Sequence, residues 1–275
     1  MCIRYITSGG LPKYRTTLVS GSAGSAKTIF AAQFLAAGII KAGEKGIFLT
    51  FEESPDDIRR NLFSMGWDIA TWEREGKWTF IDAAILPEED PIISGSYDLG
   101  ALLARIEYAI KTCGADRISL DSLDSLFSRF SDRATIRREL FRIVTALKKM
   151  QVTAVMTAER TQEYGAISQY GVEEFVADNV IILRNVLDAE KRRRTVEVLK
   201  FRGTTHKKGE HPFTVVSGAG LVVISLSSLE LTQKSSETRI TSGNDELDVM
   251  CGGGFLRDSV SLVSGATGTC MTLIA

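Results

Sequence analysis

The chain has 275 residues, of which 44% are hydrophobic and 24% charged, and its 33 Lys and Arg residues against 34 Asp and Glu residues leave a formal net charge of −1. This composition is that of an ordinary globular protein, so it excludes disorder, collagen-like repeats and coiled coil, and the length accommodates one or two domains. A nearly neutral chain gives no global electrostatic reason to bind nucleic acid or anionic lipid.

The cysteines and the apolar segments indicate a cytoplasmic protein. The four cysteines form no C-x-x-C pair and have no neighbouring histidine cluster, which predicts reduced thiols rather than a zinc site or a disulfide framework. Residues 1–10 lack the apolar core of a signal peptide, and the longest apolar run, 29–40, is too short to span a bilayer. We therefore expect a soluble protein with no membrane partner.

The first predicted strand, 16–20, and a predicted helix that ends at a glycine, 29–38, enclose the segment 21–28, GSAGSAKT. This segment follows the phosphate-binding pattern G-x-x-x-x-G-K-[ST], except that Ala26 replaces the glycine before the lysine. Backbone N–H groups can cradle phosphates, Lys27 can reach the β- and γ-phosphates, and the Thr28 hydroxyl can bind Mg²⁺. The methyl of Ala26 restricts the backbone, although alanine is compatible with a helix start, so we predict a functional loop of altered affinity. The alternative is a Ser/Gly/Ala-rich connection with an incidental lysine.

A second predicted strand, 46–51, ends in the paired carboxylates Glu52 and Glu53. Beside a phosphate loop, one such carboxylate is well placed to orient and activate an attacking water. The alternative is the acidic start of a helix, because residues 54–57 read as an N-terminal cap and first turn.

A third predicted strand, 117–121, is apolar and ends at Asp121. This is the Walker B pattern, in which the acid holds Mg²⁺ opposite the threonine of the loop. Another buried-type strand is predicted at 152–157, before polar residues that could sense the phosphates. Strands alternating with helical patterns at 98–112 and 133–150 predict an α/β fold with a mainly parallel central sheet flanked by helices.

A basic run at 191–194 lies between the apolar strands 180–183 and 196–199, where a hairpin turn would expose charge. Nucleic acid is therefore not an expected partner. Three aromatic residues are predicted to lie in the core or an interface rather than to stack on bases: Trp67, Trp72 and Trp78.

Residues 9–21 recur 244 positions later as residues 253–265, matching at both glycines and throughout Leu-Val-Ser-Gly. An ordered match of this kind indicates a duplication. We predict a complete unit at 1–224, a Ser/Thr-rich linker at 225–243, and the truncated start of a second unit at 244–275. In the second phosphate loop Met271 stands where the lysine belongs, so that copy cannot supply the phosphate charge.

With these segments in place, the chain resembles, almost end to end, the KaiC family of circadian clock ATPases in the RecA-like P-loop superfamily. The segments that carry the resemblance are GGLP at 9–12, TFEESP at 50–55, RRELFR at 137–142, YGVEEF at 170–175 and KFRGT at 200–204. The chain is similar to the N-terminal half of the family, followed by the linker and the start of the C-terminal half. Because the family's autokinase activity belongs to the C-terminal half, no kinase activity is expected here.

The resemblance implies a RecA-like P-loop NTPase fold and a homohexameric ring with ATP and Mg²⁺ bound between subunits. The family's catalytic glutamates match Glu52 and Glu53. Its nucleotide contacts within one subunit match Gly24, Ser25, Ala26, Lys27, Thr28, Ile29 and Ser64. Its contacts from the neighbouring subunit match Lys200, Phe201, Arg202, Thr204 and His206. A further Thr-Asp pair of the family falls on Val216 and Ser217, which predicts weakened polar contacts.

A strand that carries Lys200 and Arg202 on one face suits charge compensation at a triphosphate in trans. The alternative is a solvated edge strand with alternating cations.

The sequence therefore predicts a slow ATP hydrolase whose nucleotide state controls assembly and the binding of clock partners of the KaiB and KaiA types. A second hypothesis is an assembly module that binds nucleotide as structural glue with negligible turnover, motivated by Ala26 and by Val216-Ser217. A third is a RecA-like DNA-binding ATPase, which only the basic run supports.

Overall fold

The structure, a computed structural model, describes residues 2–83, 99–128, 130, 132–171, 173–224 and 236–265. The chain divides into two compact units, residues 1–225 and 226–275. Part of the predicted linker, 225–235, and the second phosphate loop beyond Gly265, including Met271, lie outside the described residues. Within the described ranges, no helix combines the length and the apolar character needed to cross a membrane.

The first unit alternates helices and strands. Its helices are α1 (Cys2–Ile6), α2 (Lys27–Ala42), α3 (Pro55–Ser64), α4 (Ile69–Arg74), α5 (Leu99–Cys113), α6 (Leu123–Phe127), α7 (Arg133–Lys149) and α8 (Glu173–Val176). Its strands are β1 (Thr16–Gly21), β2 (Gly46–Thr50), β3 (Trp78–Asp82), β4 (Arg117–Asp121), β5 (Thr153–Glu159), β6 (Asn179–Asp188), β7 (Lys191–Lys200), β8 (Glu210–Val216) and β9 (Gly220–Val223).

The strands of the first unit form one sheet in the order β3-β2-β4-β5-β1-β6-β7-β8-β9. The pairings from β3 to β6 are parallel, and those from β6 to β9 are antiparallel. Because the phosphate loop follows the central strand β1, it lies at the carboxyl edge of the parallel part, where ligands bind in open α/β sheets. The predicted α/β class with a mainly parallel sheet is confirmed.

Two apolar clusters cover the two faces of the sheet. One contains the buried side chains of α5, α6 and α7, including the fully buried Phe127. The other contains those of α2, α3 and α4 together with Trp67 and Trp78, and Trp72 packs at its border. The tryptophans are therefore core residues, as predicted. Helices on both faces explain why β1 and β2 are buried at every residue, instead of alternating between buried and exposed positions.

The helix after the phosphate loop is longer than predicted. It continues past Gly38 to Ala42 and ends at Gly43, which takes a left-handed conformation with φ of 65°. Gly38 serves packing, because a β-carbon there would lie 2.6 Å from the guanidinium Nε of Arg117, which crosses the helix. That guanidinium also donates to the carbonyl of Phe34 at 2.8 Å.

The basic run at 191–194 does not form a turn, contrary to the prediction. It begins β7, which pairs along its length with β6. The turn consists of Ala189 and Glu190, whose φ values of 41° and 69° are those of a two-residue hairpin of type I′. The apolar stretches marked only the buried halves of the two strands, and the hairpin extends beyond them into solvent.

The second unit contains β10 (Arg239–Ile240), α9 (Asp245–Met250) and β11 (Phe255–Leu256), with β10 and β11 antiparallel. Two residues separate the end of α9 from the pair Gly253-Gly254, just as two residues separate α1 from Gly9-Gly10. Both copies of the repeat are therefore preceded by a short helix at the same spacing. Residues 260–265 match β1 in sequence but pair with no described strand, and Leu262 is 92% exposed. An apolar run becomes a strand only where neighbouring strands complete its hydrogen bonds.

Candidate nucleotide site

The carboxyl ends of β1, β2 and β4 bring most of the predicted site to one edge of the sheet. The phosphate loop follows β1, Glu52 and Glu53 follow β2, and Asp121 ends β4. Strand β4 pairs with β2 so that Asp121 lies beside Thr50, and the N–H of Phe51 donates to the carbonyl of Asp121 at 2.9 Å. Three separate stretches of the sequence therefore meet around one space.

The phosphate loop turns through two left-handed residues, Gly24 with φ of 73° and Ala26 with φ of 74°. Ala26 is the N-cap of α2, not part of the helix, so the expectation that alanine fits a helix start does not describe its conformation. Its position requires the conformation that glycine adopts without a steric penalty. The missing glycine of the motif is thus replaced by a residue held in that glycine's conformation.

The amino end of α2 is available for an anion. Ala26 supplies no side-chain cap, so the first-turn N–H groups of Lys27, Thr28 and Ile29 have no side chain to receive them. These N–H groups and the helix dipole favour negative charge at this point. The loop therefore fits a phosphate chain, by its own geometry and without reference to the motif.

Lys27 lies folded against the loop. Its Nζ donates to the carbonyls of Gly21 at 2.9 Å and Ser22 at 3.1 Å, and it lies 3.6 Å from a carboxylate oxygen of Glu159. Only 10% of its side chain is exposed. The ammonium group thus lies inside the curve of the loop, within reach of any group that the loop binds.

Thr28 and Asp121 lie next to each other as the proposed metal ligands require. Thr28 and Thr157 both hydrogen-bond the carboxylate of Asp121. Burial raises the pKa of Asp121 above its usual range, and the two hydroxyl hydrogen bonds and the charge of Lys27 oppose this shift only in part. The described residues contain no cluster of three His, Cys, Asp or Glu side chains that could hold a metal by themselves. A magnesium ion here would need phosphate oxygens as additional ligands.

The two predicted catalytic glutamates differ in their surroundings. Glu52 accepts hydrogen bonds from the hydroxyls of Ser122, at 2.9 Å, and Ser125, so its carboxylate is fixed in place. Both serines were missed as functional residues by sequence reasoning. The signal available was the D-S-x-x-S spacing at the end of β4, which places Ser122 at the N-cap of α6 and Ser125 in its first turn.

Glu53 is an exposed residue whose carboxyl group is partly shielded from solvent. Partial burial raises its pKa above the ordinary value of 4.5, and the negative charges of Asp121, Asp57 and Glu52 raise it further, while a hydrogen bond with Asn61 lowers it. A carboxylate with a raised pKa holds a proton more strongly, which is the property that a general base needs. Ser54 also caps α3, so the alternative reading of 54–57 as a helix start is correct as local structure.

A further acid, Glu163, holds the loop from the side. Its carboxylate accepts from the Ser22 hydroxyl at 2.5 Å and from the backbone N–H of Asn185 at 3.1 Å. No pattern in the sequence marks this residue, because the connection after β5 is irregular. Arg160 is one of the polar residues after the predicted strand 152–157; it is 5% exposed, and burial and the charge of Arg184 lower its pKa.

The structure does not bring the second predicted set to this edge. Lys200 lies beside Val180, which lies beside Leu18 near the start of β1, and the N–H of Arg202 donates to the side chain of Asn179 at 3.0 Å. Because β1 has six residues at roughly 3.3 Å each, the two edges are about 17 Å apart. Lys200 and Arg202 therefore cannot reach a phosphate chain on the loop of the same subunit.

The rest of the second set lies in the segment after β7. The prediction of one strand face for Lys200 and Arg202 is wrong, because β7 ends at Lys200. The ring of Phe201 lies 6.1 Å from that of His206, and Thr204 between them is exposed. Lys207 anchors the segment, since its N–H donates to the carbonyl of Ile6 at 2.8 Å.

The remaining predicted contacts lie on α3 and at the end of β8. Ser64 ends α3, is exposed, and donates to the carbonyl of Asn61 at 2.7 Å. Val216 ends β8 with 43% of its surface exposed, and Ser217 follows it in the turn to β9.

Comparison with known proteins places this architecture in a family. A family model described as "ATPase: KaiC" matches residues 3–228. The chain is 62% identical over 270 residues to the circadian clock protein KaiC3 of Synechocystis sp., covering 98% of this chain and 53% of that protein. It is 54% identical over 264 residues to the clock oscillator protein KaiC of Parathermosynechococcus lividus, covering 96% of this chain and 48% of that protein.

A third relative, the clock oscillator protein KaiC of Synechococcus elongatus, is 53% identical over 269 residues, covering 98% of this chain and 51% of that protein. The chain thus spans about half the length of the relatives it matches. The match, the parallel sheet and the phosphate loop together establish that the chain belongs to the KaiC family of RecA-like P-loop ATPases.

Proposed function

We propose that this chain binds ATP with Mg²⁺ at the loop 21–28 and hydrolyses it slowly, at sites completed by a neighbouring copy in a ring. One observation carries the proposal. The phosphate-loop residues Lys27 and Thr28 lie with Asp121 and the two glutamates at one edge of the sheet. The cations Lys200 and Arg202 lie at the opposite edge. A chain with the two halves of a site on opposite edges completes the site by head-to-tail association.

Binding relies on the loop and Lys27. The triphosphate would take up the first-turn N–H groups of α2, and Lys27 would exchange its carbonyl partners Gly21 and Ser22 for phosphate oxygens. Thr28 and Asp121 would hold Mg²⁺, which neutralises charge on the phosphates when bound. Because phosphate oxygens would replace the carbonyl oxygens as acceptors, the ammonium group of Lys27 keeps its hydrogen bonds when the nucleotide binds.

Water activation is assigned to Glu53. Glu53 is an exposed residue and its pKa is raised, so its carboxylate can accept a proton from an attacking water. Glu52, held by Ser122 and Ser125, acts as a fixed neighbour whose charge helps to keep the pKa of Glu53 high. The two adjacent glutamates thus have separate roles, one as base and one as an anchored charge.

Lys200 and Arg202 would stabilise the phosphates of the neighbouring subunit, with the segment that contains Phe201, Thr204 and His206 lying against the same nucleotide. Such head-to-tail contacts close into a ring when the rotation permits. Family resemblance gives six subunits, and the relatives are named circadian clock proteins. By the same resemblance, the nucleotide state would control the binding of KaiB-type and KaiA-type partners.

The test of hydrolysis is phosphate release by the Glu53→Gln and Glu52→Gln variants. We expect Glu53→Gln to reduce turnover at least a hundredfold, within the range of a lost general base, and to leave ATP binding unchanged. Lys27→Ala, in contrast, should lose ATP binding. Assembly on ATP without phosphate release from the unmodified chain would favour the structural-module hypothesis.

The test of a shared site is a mixing experiment. Lys27→Ala is expected to be inactive because it lacks the loop cation, and Arg202→Gln is expected to retain only slow turnover because it lacks the cation of the opposite edge. In mixed rings an intact loop meets an intact arginine edge at about a quarter of the interfaces, so turnover should return to about a quarter of the unmodified level. Two variants of a site formed within one subunit would not restore each other.

A further inference from the structure

We propose that Asp178 is a positioning residue that, in a cluster with Arg15 and Lys148, fixes Arg202 for the nucleotide of the neighbouring subunit. This inference rests on the proposed function, because it supposes that Arg202 acts across the interface. No motif or comparison assigns a role to Asp178, Arg15 or Lys148.

Asp178 is a buried carboxylate at the amino edge of the sheet. It directly precedes β6, and only 2% of its side chain is exposed. Its Oδ2 accepts from the N–H and the hydroxyl of Thr16, each at 3.2 Å, which fixes it to the first residue of β1. A carboxylate anchored in this way to the central strand is a rigid reference point for its other partners.

Three cations surround this carboxylate. Lys148 donates to its Oδ1 at 3.0 Å, and the guanidinium groups of Arg202 and Arg15 lie 3.5 Å and 3.6 Å from the same oxygen. Between 40% and 54% of each cationic side chain is exposed. The three come from different parts of the chain, after β7, in α7 and before β1, and each lies within 3.6 Å of this carboxylate.

The charges of this cluster do not balance. One carboxylate faces three cations, each at least 40% exposed, so two positive charges remain for an anion from outside. Burial opposes ionisation of Asp178, but the hydrogen bond from Lys148 and those from Thr16 outweigh it and lower its pKa. The carboxylate is therefore ionised and holds the cations at neutral pH.

Lys200 is tied to the same structure by a different route. Its Nζ donates to the carbonyls of Glu174 at 3.0 Å and Ala177 at 2.7 Å, directly before Asp178. Burial and the charge of Arg202 lower its pKa. The turn from α8 into β6 thus holds Lys200 through its backbone carbonyls and Arg202 through the side chain of Asp178.

If Asp178 acts by positioning Arg202, its substitution should have little effect once Arg202 is removed. A purely structural role would not depend on Arg202. Asp178→Asn keeps an oxygen for Thr16 but removes the charge that orients the cations. We expect it to lower turnover about tenfold, because a misplacement of about 1 Å can cost that much or more. If Asp178 acts through Arg202, the double variant Asp178→Asn/Arg202→Gln should be no slower than Arg202→Gln alone, within about twofold.

Glu139→Gln is the matched control. Glu139 is also a buried carboxylate with two arginine partners, Arg138 at 3.3 Å and Arg142 at 2.6 Å, but it does not contact Arg202. We expect its turnover to stay within about twofold of the unmodified chain, and its effect to add to that of Arg202→Gln.

The deciding experiment uses mixed rings. Asp178→Asn mixed with Lys27→Ala should recover turnover as Arg202→Gln does, because the defect lies on the arginine edge. Asp178→Asn mixed with Arg202→Gln should recover none. Asp178→Asn also changes a buried group that anchors β1, so a second variant tests the cluster from the surface: Lys148→Met removes a partner of the same carboxylate and should lower turnover at least threefold with the same mixing pattern.

The outcomes separate the two proposals. If Arg202→Gln leaves turnover unchanged, the shared site and the role of Asp178 both fail. If Arg202→Gln is slow, two results would still overturn the role of Asp178 alone. In one, Asp178→Asn is as fast as Glu139→Gln; in the other, the effect of Asp178→Asn adds fully to that of Arg202→Gln. Unchanged turnover in Lys148→Met would likewise overturn the cluster.

Discussion

Replacement of Ala26 by glycine tests the strain in the phosphate loop. A residue with a β-carbon pays about 1–2 kcal/mol in the left-handed conformation that Ala26 adopts, with φ of 74° and ψ of 33°. Glycine removes this cost, but it gains about 0.4–1 kcal/mol of entropy in the unfolded chain and loses a half-buried methyl contact of roughly 0.4 kcal/mol. We expect a net stabilisation of about 0.5 kcal/mol.

Ala23→Gly provides the comparison within the same loop. Ala23 is exposed and is not among the residues with positive φ, so glycine there should add unfolded-state entropy without relieving strain. Its expected effect is a destabilisation of about 0.4–1 kcal/mol. The difference between the two variants, about 1 kcal/mol, isolates the left-handed conformation from the general effect of glycine.

The assay is thermal unfolding followed by circular dichroism. For a unit of this size, 1 kcal/mol corresponds to roughly 2–4 °C in Tm, so Ala26→Gly should melt about 2–4 °C above Ala23→Gly. Equal melting temperatures, or a lower one for Ala26→Gly, would refute the argument that Ala26 is strained.

Three further predictions concern pH and packing. Because the pKa of Glu53 is raised, the acid limb of turnover should lie above pH 4.5, and Asp57→Asn, which removes one charge that raises it, should move the limb to lower pH in a pH–rate profile. The pKa of Asp178 is lowered below its ordinary value of 3.8, so ionisation of this carboxyl group stabilises the fold above that pH. This stabilisation is lost as the pH falls through the lower pKa of the folded state. Asp178→Asn should therefore flatten the fall in Tm on acidification from about pH 5. Phe127→Ala removes a fully buried ring that meets Tyr170 edge-on at 6.0 Å, and should cost about 3–5 kcal/mol in urea unfolding.

The sheet could be predicted because its strands have mainly apolar sequences that are followed by polar residues. The predicted strand 117–121 has its observed bounds, because its apolar residues and its terminal carboxylate fit a buried strand that follows a phosphate loop. Helix α2 was cut short at Gly38, because the sequence does not show that Arg117 crosses there. Contacts between residues distant in sequence decide whether a glycine ends a helix or admits a neighbour.

The candidate site could be predicted where the chemistry follows a motif. The loop, Asp121 and the glutamates belong to that class. Glu163 and Asp178 could not be found, because each acts through partners from other elements and neither has a characteristic spacing. The conformation of Ala26 was equally hidden, since a helix start and a left-handed cap are both compatible with one alanine in the sequence.

The distance of about 17 Å along β1 between the loop and Arg202 has a consequence for how activity depends on concentration. A site shared by two chains exists only in the associated fraction, so by mass action the turnover per chain should fall on dilution while every chain remains folded. The concentration at which half of the turnover is lost would then measure the affinity of the interface itself.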